Sequence, residues 1–176
     1  MQRLINLPDG FKVEPFFRRD ELTIQMNSAG TAEEMIKANP FYFDICFKAN
    51  VPIDFHPWKN PELSIPILID EWQLIKDTIK RGISSNARKA DKAEMVKGIS
   101  ILICMIHWSN ESPVHHLDIE PSDFTAFAAK PINPTERLMY VLLKPEQYHS
   151  FIQLDQLIEE TVKQYHKKRA MSSRNK

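Results

Sequence analysis

Three of the six histidines, His107, His115 and His116, follow the apolar run 99–106 and are joined by Asp118, Glu120 and Asp123. Imidazole and carboxylate are the side chains that hold zinc, iron or manganese and that move protons near neutral pH. If residues 111–123 fold back on a helix end, these groups could gather on one ion and form a small metal-dependent hydrolase. The spacing fits no familiar metal motif, adjacent histidines usually point apart, and a histidine at a helix end commonly bonds a terminal carbonyl. The preferred reading is therefore a polar helix rim, with metal chemistry as the alternative.

Other chemistries are filtered by residue type. Four glycines, at 10, 30, 82 and 98, cannot assemble a Walker A loop or a dinucleotide fingerprint. The chain also lacks a nucleophile elbow, paired-cysteine zinc spacing and an HExxH helix. No catalytic residue and no cofactor is implied.

Two further groups are candidates for binding. In "DFHPW", His56 and Trp58 occupy a stretch with prolines at 52, 57 and 61, where a stiff loop would present them to a protein partner. The competing reading has the aromatic residues pinning the loop down. Lys80, Arg81, Arg88, Lys89 and Lys92 form one basic cluster within residues 80–97. Lys167, Lys168 and Arg169 belong to a second within 163–176. Either would suit a phosphate backbone, although neither interleaves the aromatic residues of a base-stacking platform. A solvated helix start and a solubilising tail are the plain alternatives.

The elements that must position these residues are mostly helices. "TAEEMIKAN" opens with a capping box, Thr31 and Glu34, and "NPFYFDICFK" reads as a second start with Asn39 as cap and Pro40 in its first turn. Its aromatic body, Phe41, Tyr42, Phe43, Ile45 and Phe47, is expected to be buried. "SIPILIDEWQLIKDTIKRG" puts Ile65, Leu68, Ile69, Trp72, Ile75 and Ile79 on one face, with Lys80 and Arg81 in the last turn and Gly82 beyond it. Residues 99–106 are apolar all round and predict a central helix. The stretch 111–133 reads as a long loop, with a short helix over Ser122–Ala129. "NPTERLMYVLLK" repeats the Asn-Pro start with Glu136 placed for a capping box, and 145–168 is strongly amphipathic. Residues 11–24 are ambiguous enough to hide a short strand.

These elements predict an all-α, single-domain bundle of five to seven helices with long proline-rich loops. A flanking arm would occupy 1–30, the helical domain 31–166 and a mobile basic tail 167–176. Lysine plus arginine and aspartate plus glutamate each number 23, so no net field draws the chain to nucleic acid or lipid. Cys46 and Cys104 sit among apolar neighbours, the amino terminus lacks an apolar leader, and no run is long enough for a membrane span. A cytoplasmic location follows as the expectation.

"NPFYFD" at 39–44, "DEW" at 70–72, "ISILICMIHW" at 99–108 and the "NPTERLMYVLL…FIQLDQLIEE" ending together resemble the YpoC-like family of small bacterial proteins. These motifs are helix caps and apolar faces, and the resemblance implies no activity, cofactor or catalytic residue. It does imply genes lying near those for DNA repair and replication, an association that adds weight to the nucleic-acid alternative without giving a mechanism. From the residues, the first expectation is a non-catalytic protein-interaction module acting through the 50–65 or 110–133 loop. An accessory nucleic-acid-binding protein is the second and a metal-dependent hydrolase the third.

Overall fold

Capping chemistry decides where the first helices begin. The computed structural model describes residues 1–27, 29–85 and 88–176. Helix α1, Ala32–Ala38, starts at Thr31 with both bonds of the capping box formed. Helix α2, Tyr42–Lys48, starts later than a first-turn proline would place it. The Asn39 side chain accepts from the Phe41 amide at 3.0 Å, and the Asn39 carbonyl from Tyr42, so Asn39-Pro40 makes the entry turn. Phe41, Tyr42, Phe43 and Ile45 are buried as expected. Phe47 is not: at 42% exposure in the last turn it lies over Trp58 and His56 from the solvent side.

Helix α3, Pro61–Ser85, overruns its expected end. A Cβ at Gly82 would meet nothing within 4 Å, so the glycine neither crowds nor stops the helix, and Lys80 and Arg81 fall short of its last turn. Helix α4, Lys92–Ser109, is capped by Asp91, whose side chain accepts from the Glu94 amide. It is buried on every side from Gly98 to Ile106 and packs against both α3 and α6. Gly98 marks the closest approach, because a Cβ there would stand 2.5 Å from the Trp72 ring and 3.0 Å from Leu154. Trp72 Nε1 and Lys76 both reach Asp155, at 3.2 and 2.7 Å, which ties α3 to α6.

Helix α5, Pro134–Leu143, lacks the predicted cap. Asn133 takes left-handed backbone with φ 48° and makes no side-chain cap bond. The start is held instead by Arg137, which donates to the Ile132 carbonyl and pairs with Glu160 of α6. Helix α6, Tyr148–Arg174, continues past residue 166, where the sequence suggests a tail.

Strands β1, Gln2–Asn6, and β2, Thr23–Asn27, form an antiparallel ribbon with Ile5 opposite Ile24. Ile5, Ile24 and Met26 face the core along with Leu7 and Phe11. The fold is thus a mostly helical single domain with a small added ribbon. Each strand is only five residues, too short for the period-two alternation to stand out.

Residues 122–129 form turns rather than the expected helix. Lys130 Nζ donates to the Phe124 and Thr125 carbonyls, acceptors a helix would have used, and Pro131 follows directly. None of the described helices is long and apolar enough to cross a membrane. Cys46 and Cys104 are free and buried.

Candidate functional site

The histidine and acid residues do not converge. His107 is half-buried on α4 between the rings of Phe124 and Phe127, and its Nδ1 lies 2.9 Å from the Ile103 carbonyl. A carbonyl accepts only, so Nδ1 carries the proton. Burial lowers the His107 pKa to about 4. His115 is exposed. His116 directs Nδ1 to the Asp118 carbonyl at 2.9 Å, while its Nε2 stands 3.4 Å from Asp123. Asp118 and Glu120 point to solvent, and Asp123 accepts from the Glu120 amide at 2.6 Å. Among the described residues no three His, Cys, Asp or Glu side chains are grouped to hold a metal ion. Two imidazole nitrogens are committed to backbone carbonyls, and no third donor joins the His116–Asp123 pair among the described residues, so the gathering on one ion that the metal reading needs is not formed there. The rim reading accounts for the segment, with Asn110 bonding Ala129 through both carbonyl and amide.

Asp44 is the one fully buried carboxylate among the described residues, and the sequence reading passed over it as part of an aromatic helix. Its signal was present: a lone acid inside "FYFDICF". Oδ1 accepts from the Val114 amide at 2.6 Å and from Trp108 Nε1 at 3.2 Å, while Oδ2 has no partner. Burial raises its pKa to about 7. With 0% exposure it meets no solute, so its work is to join α2, α4 and the 111–133 loop.

The proline-rich loop is pinned rather than displayed. Trp58 is 3% exposed inside a single 3-10 turn, Pro57–Lys59. The Pro57 carbonyl accepts from Ser64 Oγ and the His56 carbonyl from the Asn60 side chain. The half-buried His56 ring stacks edge-on to Trp58 at 5.4 Å. Trp58 therefore offers a partner almost no surface.

The two basic clusters lie at opposite ends of α6. Tyr148 begins that helix beside the first cluster, and Lys168 lies twenty residues on, about 30 Å away at ~1.5 Å per residue. At the far end Lys168 donates to the Ser109 carbonyl, capping α4, and Arg169 lies over Tyr165 and reaches Glu62 at 3.5 Å. Lys167 is exposed there without sharing those contacts. Lys80 and Arg81, exposed on α3, do not line the groove described next.

The near end is where the fold assembles something the sequence does not display. Lys89 bridges Gln147 in an antiparallel fashion, and the Ala90 amide donates to the Glu146 carbonyl at 2.9 Å. This backbone junction sets the segment before α4 against the turn joining α5 to α6. Between them lies an open groove of about 630 Å³ lined by Arg88, Lys89, Lys92 and Lys144 with the rings of Tyr148 and His149. Glu146 is the only acid among its lining residues. The amino termini of α4 and α6, at Lys92 and Tyr148, also lie here, and their dipoles add positive potential. Four cations, two rings and two helix starts suit an anion that also carries flat apolar groups. Lys144, Tyr148 and His149 were missed because no local pattern links them to residues 88–92.

Comparison with known proteins bears on the family. The pattern of the family described as "YpoC-like protein" matches residues 62–173, which span α3 through α6. The chain is 35% identical over 150 residues to a Bacillus subtilis (strain 168) protein named "Uncharacterized protein YpoC", covering 85% of this chain and 90% of that one. No solved structure matches. The groove, the Asp44 anchor point at Val114 and the capping Lys168 all lie within the matched span, and the chain belongs to the YpoC-like family.

Proposed function

We propose that the chain is a non-catalytic accessory protein of the cytoplasm that binds single-stranded nucleic acid at the groove between the 88–92 segment and the α5–α6 turn. The observation that carries this reading is the Lys89–Gln147 junction. It supplies the aromatic neighbours that the basic cluster lacks in sequence, bringing Tyr148 and His149 beside Arg88, Lys89, Lys92 and Lys144. Cations track the phosphates, and rings provide faces on which bases stack without sequence preference. The groove is open, as a polymer requires, and its local charge is positive despite the neutral total. The two free, buried cysteines accord with a reducing compartment. A protein-binding role through residues 50–65 has less support, since Trp58 is packed away.

The test is fluorescence anisotropy of a labelled oligo(dT) over a salt series. Four phosphate contacts on a single strand give a slope of log K against log salt of about −3. Combining Arg88→Ala, Lys89→Ala and Lys92→Ala should abolish binding and flatten that slope. Tyr148→Ala should weaken affinity by roughly tenfold or more while leaving the slope in place, because stacking is worth about 1–3 kcal/mol per base. No binding at low salt, or binding indifferent to these substitutions, rejects the proposal.

A further inference from the structure

The solvent side of α5 is apolar, and nothing in the described chain covers it. Leu138 and Val141 are buried against the core on the α6 side. At about 100° per residue, positions 136, 139, 140 and 143 fall on the opposite side. Met139 is 50% exposed, Tyr140 45% and Leu143 77%. No other described helix leaves three large apolar side chains on one outward face. The stripe also carries opposite charges at its ends, Glu136 in the first turn and Lys144 just past the last. Both are exposed, and neither forms an ion pair among the described residues.

We infer that this stripe is the interface of a two-fold homodimer in which α5 packs antiparallel on α5 of a second copy. A two-fold axis passing between Met139 and Tyr140 sets Tyr140 against the partner's Met139, and Leu143 with Lys144 against the partner's Glu136. The charge order makes the choice of occupant. A parallel pairing opposes Glu136 to Glu136 and Lys144 to Lys144, whereas the antiparallel one forms two Glu–Lys contacts by symmetry, so the face is complementary to itself. The contact is small. A ten-residue helix is about 15 Å long, and a stable dimer needs roughly 800 Å² from each partner, so association is weak and micromolar. Leu143 and Lys144 also line the edge of the groove, so self-association is read in the absence of nucleic acid, where its outcome does not depend on that reading.

Sedimentation of the full chain without nucleic acid tests it. The 20.5 kDa monomer should give way to twice that mass between low and high micromolar protein. Leu143→Glu should leave only monomer. Glu136→Lys and Lys144→Glu should each weaken the dimer by roughly tenfold, and the double variant should recover most of the loss, since the reversed pair restores both contacts. The swap also keeps the test valid if Leu143→Glu fails to fold. A monomer at every concentration, or a dimer untouched by these changes, overturns the inference and leaves the stripe to a different protein.

Discussion

Asp44 and His107 hold the same loop by groups that titrate in opposite senses. The folded pKa of Asp44, about 7, lies above the 3.8 of a free carboxyl. Between those values the native state keeps a proton the unfolded chain releases, so stability falls as pH rises. The folded pKa of His107, about 4, lies below 6.5, so there the unfolded chain holds the extra proton and stability climbs with pH. Over their shared range the two slopes offset one another. Asp44→Asn keeps an acceptor for Val114 and Trp108 and removes the falling slope, so stability relative to wild type should rise from pH 4 toward 6.5, by up to about 3 kcal/mol at ~1.36 kcal/mol per unit. His107→Gln should do the reverse. Urea midpoints read at successive pH values check both, and profiles parallel to wild type would count against these assignments. The loop's anchor points were only half legible: the sequence offers His107 as a helix-end histidine, but Asp44 depends on Val114 and Trp108, partners distant in the chain.

Helices were readable because their apolar stripes recur every three or four residues along one element. α3, α4 and α6 occur where periodicity predicts them. Their ends were less legible, since Gly82 stops a helix only if tertiary contacts let it, and Asn133 caps only in an extended backbone. The same reasoning separates two glycines that look alike in sequence. Gly82→Ala, with open space around it, should stabilise by about 0.5–1 kcal/mol through helix propensity. Gly98→Ala puts a methyl into the Trp72 ring where α3, α4 and α6 meet, and overpacking should outweigh propensity for a net loss of about 2 kcal/mol. Thermal melts of the two variants should move in opposite directions.

Across the whole molecule, equal totals of acid and base conceal an uneven distribution. At one end of α6, Lys168 and Arg169 are occupied in capping and stacking, while at the other the cations gather without such duties. Composition predicts no field, and composition cannot see this separation. The fold class was legible because burial patterns are local. The groove was not, because it exists only where two turns from distant parts of the chain meet. A dimer joined through α5 would carry two such grooves related by its two-fold axis, with Leu143 and Lys144 at the edge of each, so self-association is read without nucleic acid and oligo(dT) binding at protein concentrations below the dimer range.

The amide of Ala90, bonded to the Glu146 carbonyl beside the Lys89–Gln147 bridge, makes the groove a discontinuous structure whose two walls come from distant parts of the chain. A synthetic peptide copying residues 80–97 should therefore bind oligo(dT) no better than a scrambled sequence of the same charge. In the intact chain, the exchange rate of that one amide proton with heavy water measures how often the two turns come apart, and an oligonucleotide seated between them should slow it.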